Sequence, residues 1–500
     1  MNSLNSSKNY NIGVILTDHP DNATCLYYIE DESIKSYSFK EIKQQAKKIA
    51  NFIYEHGQAG NIISVMMSPS PELLETILGI YLASSITLSM SPLFGRDAVE
   101  YRIKASGSQM LFTDNPDIKA NIKITIGTGF GDYEFSNLSD KYNIPVKNTE
   151  EKHPIQLFYT SGSTGYPKGV ILPQSFLFSH IAGFSTFFEN PTKKDITIAF
   201  ADWGWIGALG DVVLPSLYFG IPTVAYKIST KFNLENALEI LNLSKASCAF
   251  IPPSFLGKLI KEKSFEIQNN NIRAIASGGG TVPNFVYDWG HEYSIEINEF
   301  YGQTEANILS SNSSKKRKVG SVGIPLSIHK VEIMDSYGSI LPSNSIGEIV
   351  VKLPDPVAFL EYLGNPEETD KKTEGGWLHT GDLGMFDKDG FLWFKGRNDY
   401  LIKTNAWRVG PEEVENEIIK HKAVKDVAVC GVKDKKFGQR IRAYIVLNKG
   451  HEQSSVLENE IVQIVKENLS RYSYPREFVY VKEIPRTESG KIKRNELGCD

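Results

Sequence analysis

Tyr159-Thr-Ser-Gly-Ser-Thr-Gly-Tyr-Pro-Lys-Gly-Val170 is a run of small residues set between two apolar segments, Leu157-Phe-Tyr159 and Val170-Ile-Leu172, and each of those segments reads as a strand. Four hydroxyls, on Thr160, Ser161, Ser163 and Thr164, can wrap a polyphosphate. Gly162 and Gly165 let backbone N–H groups approach phosphate oxygens closely. Lys168 adds a point charge for the same anion. The stretch is not a Walker A loop, because Gly165 is followed by Tyr166-Pro167 and Lys168 by Gly169. It predicts a strand–loop–strand anion cradle inside an α/β domain.

The pattern on either side agrees. Upstream, Ser38 to Glu55 carries Phe39, Ile42, Ala46, Ile49, Ala50 and Ile53 on one helical face, with Ser38 and Glu41 spaced as a capping box. Asn61 to Met67 reads as a buried strand, Pro71 to Tyr81 as a helix and Ile86 to Met90 as the next strand. Downstream, Ala246 to Ile251 and Arg273 to Ala276 read as strands and Pro283 to His291 as a helix. Such alternation predicts a largely parallel sheet. Asn115 to Glu151 is poorly patterned and reads as loop with short strands. After about residue 325, short strands with Gly and Asp turns predict a β-rich subdomain: Lys330 to Met334, Gly347 to Val351 and Gly390 to Phe394. From about Arg397 a compact α+β unit begins, with helices at Pro411 to Lys420 and Val456 to Leu469 and strands at Val424 to Val432 and Ile441 to Leu447. The reading is therefore an N-terminal domain over 1–396, including a β-rich part over 325–396, and a small mobile C-terminal domain over 397–500.

Bulk properties exclude several classes. At 500 residues the chain is too long for one ordinary core. A formal net charge of -5 gives no broad basic field for nucleic acid or anionic lipid. The apolar stretch Leu73 to Met90 is interrupted by Glu75 and Thr76 and does not read as a membrane span. The N-terminal Asn- and Ser-rich residues lack the pattern of a signal peptide. The cysteines Cys25, Cys248, Cys430 and Cys499 are far apart, without metal spacing, and fit a reducing, cytoplasmic setting. The basic run Lys315-Lys-Arg-Lys318 is similar to a nuclear address but reads as a polar surface loop.

Further motifs carry chemistry. Asn298-Glu-Phe-Tyr-Gly-Gln-Thr-Glu305 offers an aromatic face, close backbone approach, a hydroxyl and a carboxylate suited to Mg²⁺ beside phosphates. Trp377-Leu-His-Thr-Gly-Asp382 places an Asp after a tight turn, where it can accept from a ribose diol. Gly396-Arg-Asn-Asp-Tyr-Leu-Ile-Lys-Thr-Asn-Ala-Trp-Arg-Val-Gly-Pro411 and Pro485-Arg-Thr-Glu-Ser-Gly-Lys-Ile-Lys493 follow in order. None of the histidines sits in a convincing nucleophile constellation, and His180 and His379 read as structural or pocket-lining.

In this order, from about Tyr37 to Leu497, the motifs resemble those of the adenylate-forming superfamily, and the chain looks like its acetyl- and medium-chain acyl-CoA synthetases. The resemblance implies ATP, Mg²⁺ and CoA as cofactors and a small carboxylic acid as substrate. The acid would be activated as acyl-AMP and passed to a thiol. A carrier protein is the alternative acceptor, and a nucleotide-binding protein without catalysis is the alternative of another class.

Residue by residue, the resemblance implies that Thr304 and Glu305 hold phosphate and metal and that Tyr301 lies against adenine, with Gln303 and the turn Gly279, Gly280 and Thr281 beside it. Asp382 would anchor ribose and Arg397 would contact the nucleotide. Asp399 would be a hinge, and Lys491 would reach the adenylation site. Ala406, Trp407 and Arg408 fall in the CoA region, and Trp203 and Trp205 in a segment similar to the family's acyl-pocket lining. Acetate-specific relatives carry Trp where this chain has Gly302, which predicts a deeper pocket and a short- to medium-chain or related apolar acid. Two departures stand out: Gly280 replaces the acidic residue usual in the adenine-side turn, and Ala406 replaces a Gly beside the pantetheine tunnel.

Overall fold

The computed structural model describes residues 11–30, 33–126, 131–138, 146, 149–160, 167–227, 234–261, 271–397, 400–404, 407–434, 438–469, 473–487 and 491–498. Among the described residues the chain forms four sheets. The first, nine-stranded, has a parallel centre of Glu296–Gln303, Ala274–Gly278, Cys248–Phe250, Thr197–Ala199, Thr223–Tyr226 and Thr24–Glu30 in spatial order. Antiparallel strands close it, Asn307–Ser311 at one end and Ser33–Ser38 at the other. The second, eight-stranded, is parallel through Pro154–Thr160, Ile86–Met90, Ile62–Met66, Met110–Thr113 and Ile122–Thr125. Lys168–Pro173 and Glu361–Tyr362 extend it antiparallel.

The central strands are mainly apolar because both faces are covered, and Ala274–Gly278 and Ile86–Met90 are buried at every position, Thr87, Ser89 and Ser277 included. The covering helix Phe39–Glu55 starts where predicted. Ser38 Oγ accepts from the Glu41 N–H and the Glu41 carboxylate accepts from the Ser38 N–H at 2.8 Å. Such a cap contributes about 0.5–2 kcal/mol. The apolar face of that helix, including Phe39, Ile42 and Ile49, is buried against Pro71–Leu82 in the largest core. Pro71–Leu82 is nearly all buried, so Glu75 is carried into the interior, where burial pushes its carboxyl up to about 9. No helix among the described residues is long and apolar enough to cross a membrane.

A four-stranded antiparallel sheet follows: Val331–Met334, Gly347–Lys352, Trp377–Phe386 and Leu392–Arg397. The fourth sheet, from Ile402 on, is five-stranded and has its own core of Ile402, Val414, Val429, Ile445 and Ile461 under the helices Pro411–Ile418 and Ser455–Asn468. The molecule is thus α/β, with two large parallel-rich sheets, a β-rich part and a small α+β body, as the sequence predicts. Among the described residues, the poorly patterned segment after Asn115 contributes the short strands Ile122–Thr125 and Tyr133–Glu134 to the edge of the second sheet. Cys25 and Cys248 are buried free thiols, whereas Cys430 is disulfide-bonded, which departs from the expectation of unpaired cysteines.

Candidate active site

Parallel strands align their carboxyl ends at one edge, and ligands of open α/β sheets sit there. Three strands of the nine-stranded sheet deliver predicted site residues to that edge. Thr197–Ala199 leads into the segment of Trp203 and Trp205, Ala274–Gly278 into Gly279 to Thr281, and Glu296–Gln303 into Thr304 and Glu305. The fold therefore gathers what the sequence scatters over more than a hundred positions.

Asp382 lies on the strand Trp377–Phe386, opposite Arg397 in the ladder. One oxygen of its carboxylate accepts from Tyr301 Oη at 2.7 Å and from Gln303 Nε2 at 2.6 Å. Its other oxygen faces Arg397 Nε at 3.7 Å. The group is 5% exposed, and burial pushes its carboxyl up while Arg397 pulls it down. Tyr301 is itself buried beside Phe394, and burial with the nearby Asp382 charge pushes its phenol up, so it stays a donor. Two neutral donors fixing one carboxylate oxygen hold the other in a set direction.

Glu305 sits in the turn between Glu296–Gln303 and Asn307–Ser311, and Thr304 beside it is half-buried. Glu305 Oε1 accepts from Tyr362 Oη at 2.6 Å. The Tyr362 ring lies 5.4 Å from Lys168 Nζ, and that ammonium pairs with Glu368 at 2.5 Å. Thr160 stands across the ladder from Lys168, so the two frame the glycine-rich loop. Ser161, Gly162, Ser163, Thr164 and Gly165 lie outside the described residues. Lys372 Nζ, 3.3 Å from Gln303 Oε1, adds a further cation.

Lys491 comes from the C-terminal body yet reaches this edge. Its Cε lies 3.9 Å from where a Cβ on Gly279 would stand, and the indole of Trp205 lies 3.5 Å from that same point. Gly279 has φ +83, a conformation glycine adopts without strain. The Lys491 side chain is open to solvent in the cleft between the bodies, but protein surrounds it on several sides. That dehydration lowers its pKa first, Asp382 and Glu305 raise it, and Arg397 lowers it. A Thr487 N–H donation to the Lys491 carbonyl at 2.7 Å holds the backbone that carries it.

Other predicted residues fall differently. Trp203 is 2% exposed and belongs to the main core, whereas Trp205 is half-buried over Gly279 and Phe250. Asp202, which sequence reasoning passed over, accepts from Ser91 Oγ at 3.0 Å and the Gly204 N–H at 2.7 Å, and so holds the turn that sends the two indoles to different places. Gly280 and Thr281 border the cleft, and Pro253 stands 3.8 Å from a Cβ built on Gly280. Gly302 is exposed, but a Cβ there would meet the Asn307 carbonyl oxygen at 2.0 Å. Close backbone approach in the hairpin demands this glycine, which gives a second reason for Gly302 beside the pocket-depth reading. Asp399 and Ala406 lie outside the described residues, as do the side chains of Trp407 and Arg408, whose backbone forms the strand Trp407–Val409.

Contacts account for two further features of the sequence. The run containing Lys315 is tied to the fold, since Arg317 pairs with Glu296 at 2.5 Å and Lys318 with Asp387 at 2.7 Å. Ser179, His329 and Asp355 form a hydrogen-bonded line, with Ser179 Oγ 3.0 Å from His329 Nε2 and His329 Nδ1 2.8 Å from Asp355. That line is a buried strut, because Ser179 is inaccessible and its hydroxyl donates to the Ile308 carbonyl at 2.6 Å. His180 is likewise structural, held between Asp211 and Asn307. His379 faces Glu348 at 2.9 Å.

No group of three or more His, Cys, Asp or Glu among the described residues could hold a metal by itself. Mg²⁺ typically takes one or two carboxylates and completes its shell with phosphates and water. Glu305, one carboxylate oxygen anchored by Tyr362, fits that mode.

The carboxylates Asp382 and Glu305 thus stand near Lys168 and near Lys491, which a separate body supplies. The family model described as "AMP-binding enzyme" matches residues 16–363, and that described as "AMP-binding enzyme C-terminal domain" matches 413–491. The chain belongs to the AMP-binding enzyme family, and it is a ligase. It is 30% identical over 487 residues to the mitochondrial acyl-coenzyme A synthetase ACSM4 of Rattus norvegicus, covering 92% of this chain and 83% of that one. It is also 30% identical to the uncharacterized acyl-CoA ligase YtcI of Bacillus subtilis, covering 94% and 91%. Among solved structures, the anthranilate CoA ligase AuaEII in complex with anthranoyl-AMP superposes with TM-score 0.89 at 23% identity, over 99% of this chain and 98% of that one. Acyl-CoA synthetases of this family use ATP, Mg²⁺ and CoA.

Proposed function

We propose that the protein is an acyl-CoA synthetase acting on a short- to medium-chain or related apolar carboxylic acid. The observation that carries this reading is Lys491, brought from the C-terminal body to Gly279 and Trp205 beside the carboxylates Asp382 and Glu305. A carboxylate oxygen of the acid attacks the α-phosphorus of ATP. The new P–O bond forms as the bond to the β-phosphate breaks, and pyrophosphate leaves. The thiolate of CoA then attacks the acyl carbon, the C–S bond forms, and AMP departs with the electron pair of the broken C–O bond.

The chain's part is positioning and charge. Asp382, fixed by Tyr301 and Gln303, accepts the ribose hydroxyls, and Arg397 opposite it contacts the nucleotide. Lys168 meets the outer phosphates. Lys491 neutralises charge that develops at the α-phosphate. Glu305 would hold Mg²⁺, which supplies Lewis-acid stabilisation of the departing pyrophosphate when bound. Trp205 walls the acyl end. We take residues 1–396 and 397–500 as the two moving parts, with Asp399 as the hinge, because Lys491 must leave before a thiol can enter.

The test is acid-dependent exchange of pyrophosphate into ATP across linear and aryl acids, followed by single-turnover transfer from preformed acyl-AMP to CoA. Exchange with a subset of acids and fast transfer to CoA are expected. No exchange with any acid would reject adenylation, and transfer only to a pantetheinylated carrier protein would replace CoA as the acceptor.

A further inference from the structure

Tyr362 lies on the short strand Glu361–Tyr362, paired opposite Val170 of the strand that carries Lys168. Its backbone is held twice: Val170 pairs with it, and its N–H donates to Thr369 Oγ1 at 2.9 Å. The neighbouring Phe359 N–H donates to the Glu305 carbonyl at 2.9 Å, and the Phe359 ring packs 5.1 Å from the Tyr362 ring. The segment Phe359 to Tyr362 therefore braces the Glu305 turn at both backbone and side chain. Tyr362 is 5% exposed. A buried carboxylate on a tight turn is costly without a donor, and Tyr362 Oη supplies one to Oε1 at 2.6 Å. Among the described residues, Oε2 of Glu305 takes no hydrogen bond. The ring of the same tyrosine faces the Lys168 ammonium at 5.4 Å. One side chain thus touches the carboxylate and the cation that stand on either side of the phosphates in the proposed reaction.

We propose that Tyr362 is a positioning residue for adenylation, which orients the Glu305 carboxylate through its hydroxyl and seats Lys168 on its ring before Mg·ATP arrives. The inference rests on the adenylating role proposed above. Residues that orient a metal-directed carboxylate typically change metal affinity or activity about 10–100-fold when lost. Tyr362→Phe removes the hydroxyl and keeps the ring under Lys168, so it isolates the Glu305 contact. Calorimetry without any acid measures Mg·ATP, ATP with the metal chelated, and AMP. The expected result is Mg·ATP binding weaker by about tenfold, with metal-free ATP and AMP bound as in the wild type by a variant that melts cooperatively at a somewhat lower temperature.

Glu305→Gln and the double variant complete a cycle. If Tyr362 acts through Glu305, the double variant binds Mg·ATP no worse than Glu305→Gln alone. Wild-type Mg·ATP affinity in Tyr362→Phe would overturn the proposal, and so would equal weakening of AMP binding or additive losses in the cycle. If Tyr362→Phe fails to fold, Tyr362→Trp, which also lacks the hydroxyl, enters the same cycle. Failure of the wild type itself to bind Mg·ATP would overturn the adenylating reading, and this inference with it.

Discussion

Gly302 and Asn307 face each other across the bulged hairpin so closely that a Cβ on Gly302 would lie 2.0 Å from the Asn307 carbonyl oxygen. Asn307 holds φ 59 and donates from Nδ2 to the Val357 carbonyl at 2.5 Å, so that strand has little freedom to retreat. Gly302→Ala should therefore lower stability by about 1–3 kcal/mol and should cut adenylation of every acid alike. Thermal melts and pyrophosphate exchange across chain lengths check this. A stable variant with an altered chain-length preference would show instead that residue 302 acts on the acid.

Asp382 receives two hydrogen bonds on one oxygen and faces Arg397 with the other. Asp382→Asn keeps an acceptor but removes the charge. Hydrogen bonds to a charged group contribute about 1.5–3 kcal/mol, so AMP affinity should fall about tenfold or more. Calorimetry with AMP measures it, and an unchanged affinity would remove Asp382 from the ribose site.

Glu299, 2% exposed, accepts from Tyr287 Oη at 2.8 Å and from the Val282 N–H at 3.3 Å, just beneath the Gly279–Thr281 turn. Burial pushes its carboxyl from an ordinary 4.5 up to about 8. The folded chain keeps this proton between those values while the unfolded chain releases it. Stability from this group is thus full below about 4.5 and is lost as pH rises to about 8, then level. Glu299→Gln cannot ionise, so its melting temperature relative to wild type should rise between about pH 5 and about pH 9. Parallel melting curves for the two proteins would contradict the assignment.

The sheet strands were legible because burial on both faces leaves mainly apolar runs, as in Ile62–Met66, and the helix start at Ser38 because its cap is local. Local motifs also named Asp382 and Glu305. What holds them was not legible: Tyr362 is 57 positions from Glu305, and nothing near Tyr362 marks its target. Glu368 pairs with Lys168 across 200 positions. The Ser179–His329–Asp355 strut is invisible for the same reason, since one helix and two distant loops define it. Trp203 and Trp205 differ by two positions and look alike in sequence, yet the Asp202 turn buries the first and leaves the second at the cleft. At Gly302 the absence of a side chain reads equally as space and as close approach, and the sequence did not reveal the backbone contact with Asn307.

The central claim is that Lys491 serves the adenylation step from the position beside Gly279 and Trp205. The most direct measurement is the rate of each half-reaction, taken separately, in Lys491→Ala. Removing a group that stabilises charge mainly in the transition state should slow pyrophosphate exchange by about 10²–10³-fold. Transfer from supplied acyl-AMP to CoA should stay within about twofold of wild type if, as proposed, Lys491 leaves the site before the thiol enters. Equal slowing of both half-reactions in a folded variant would contradict the account.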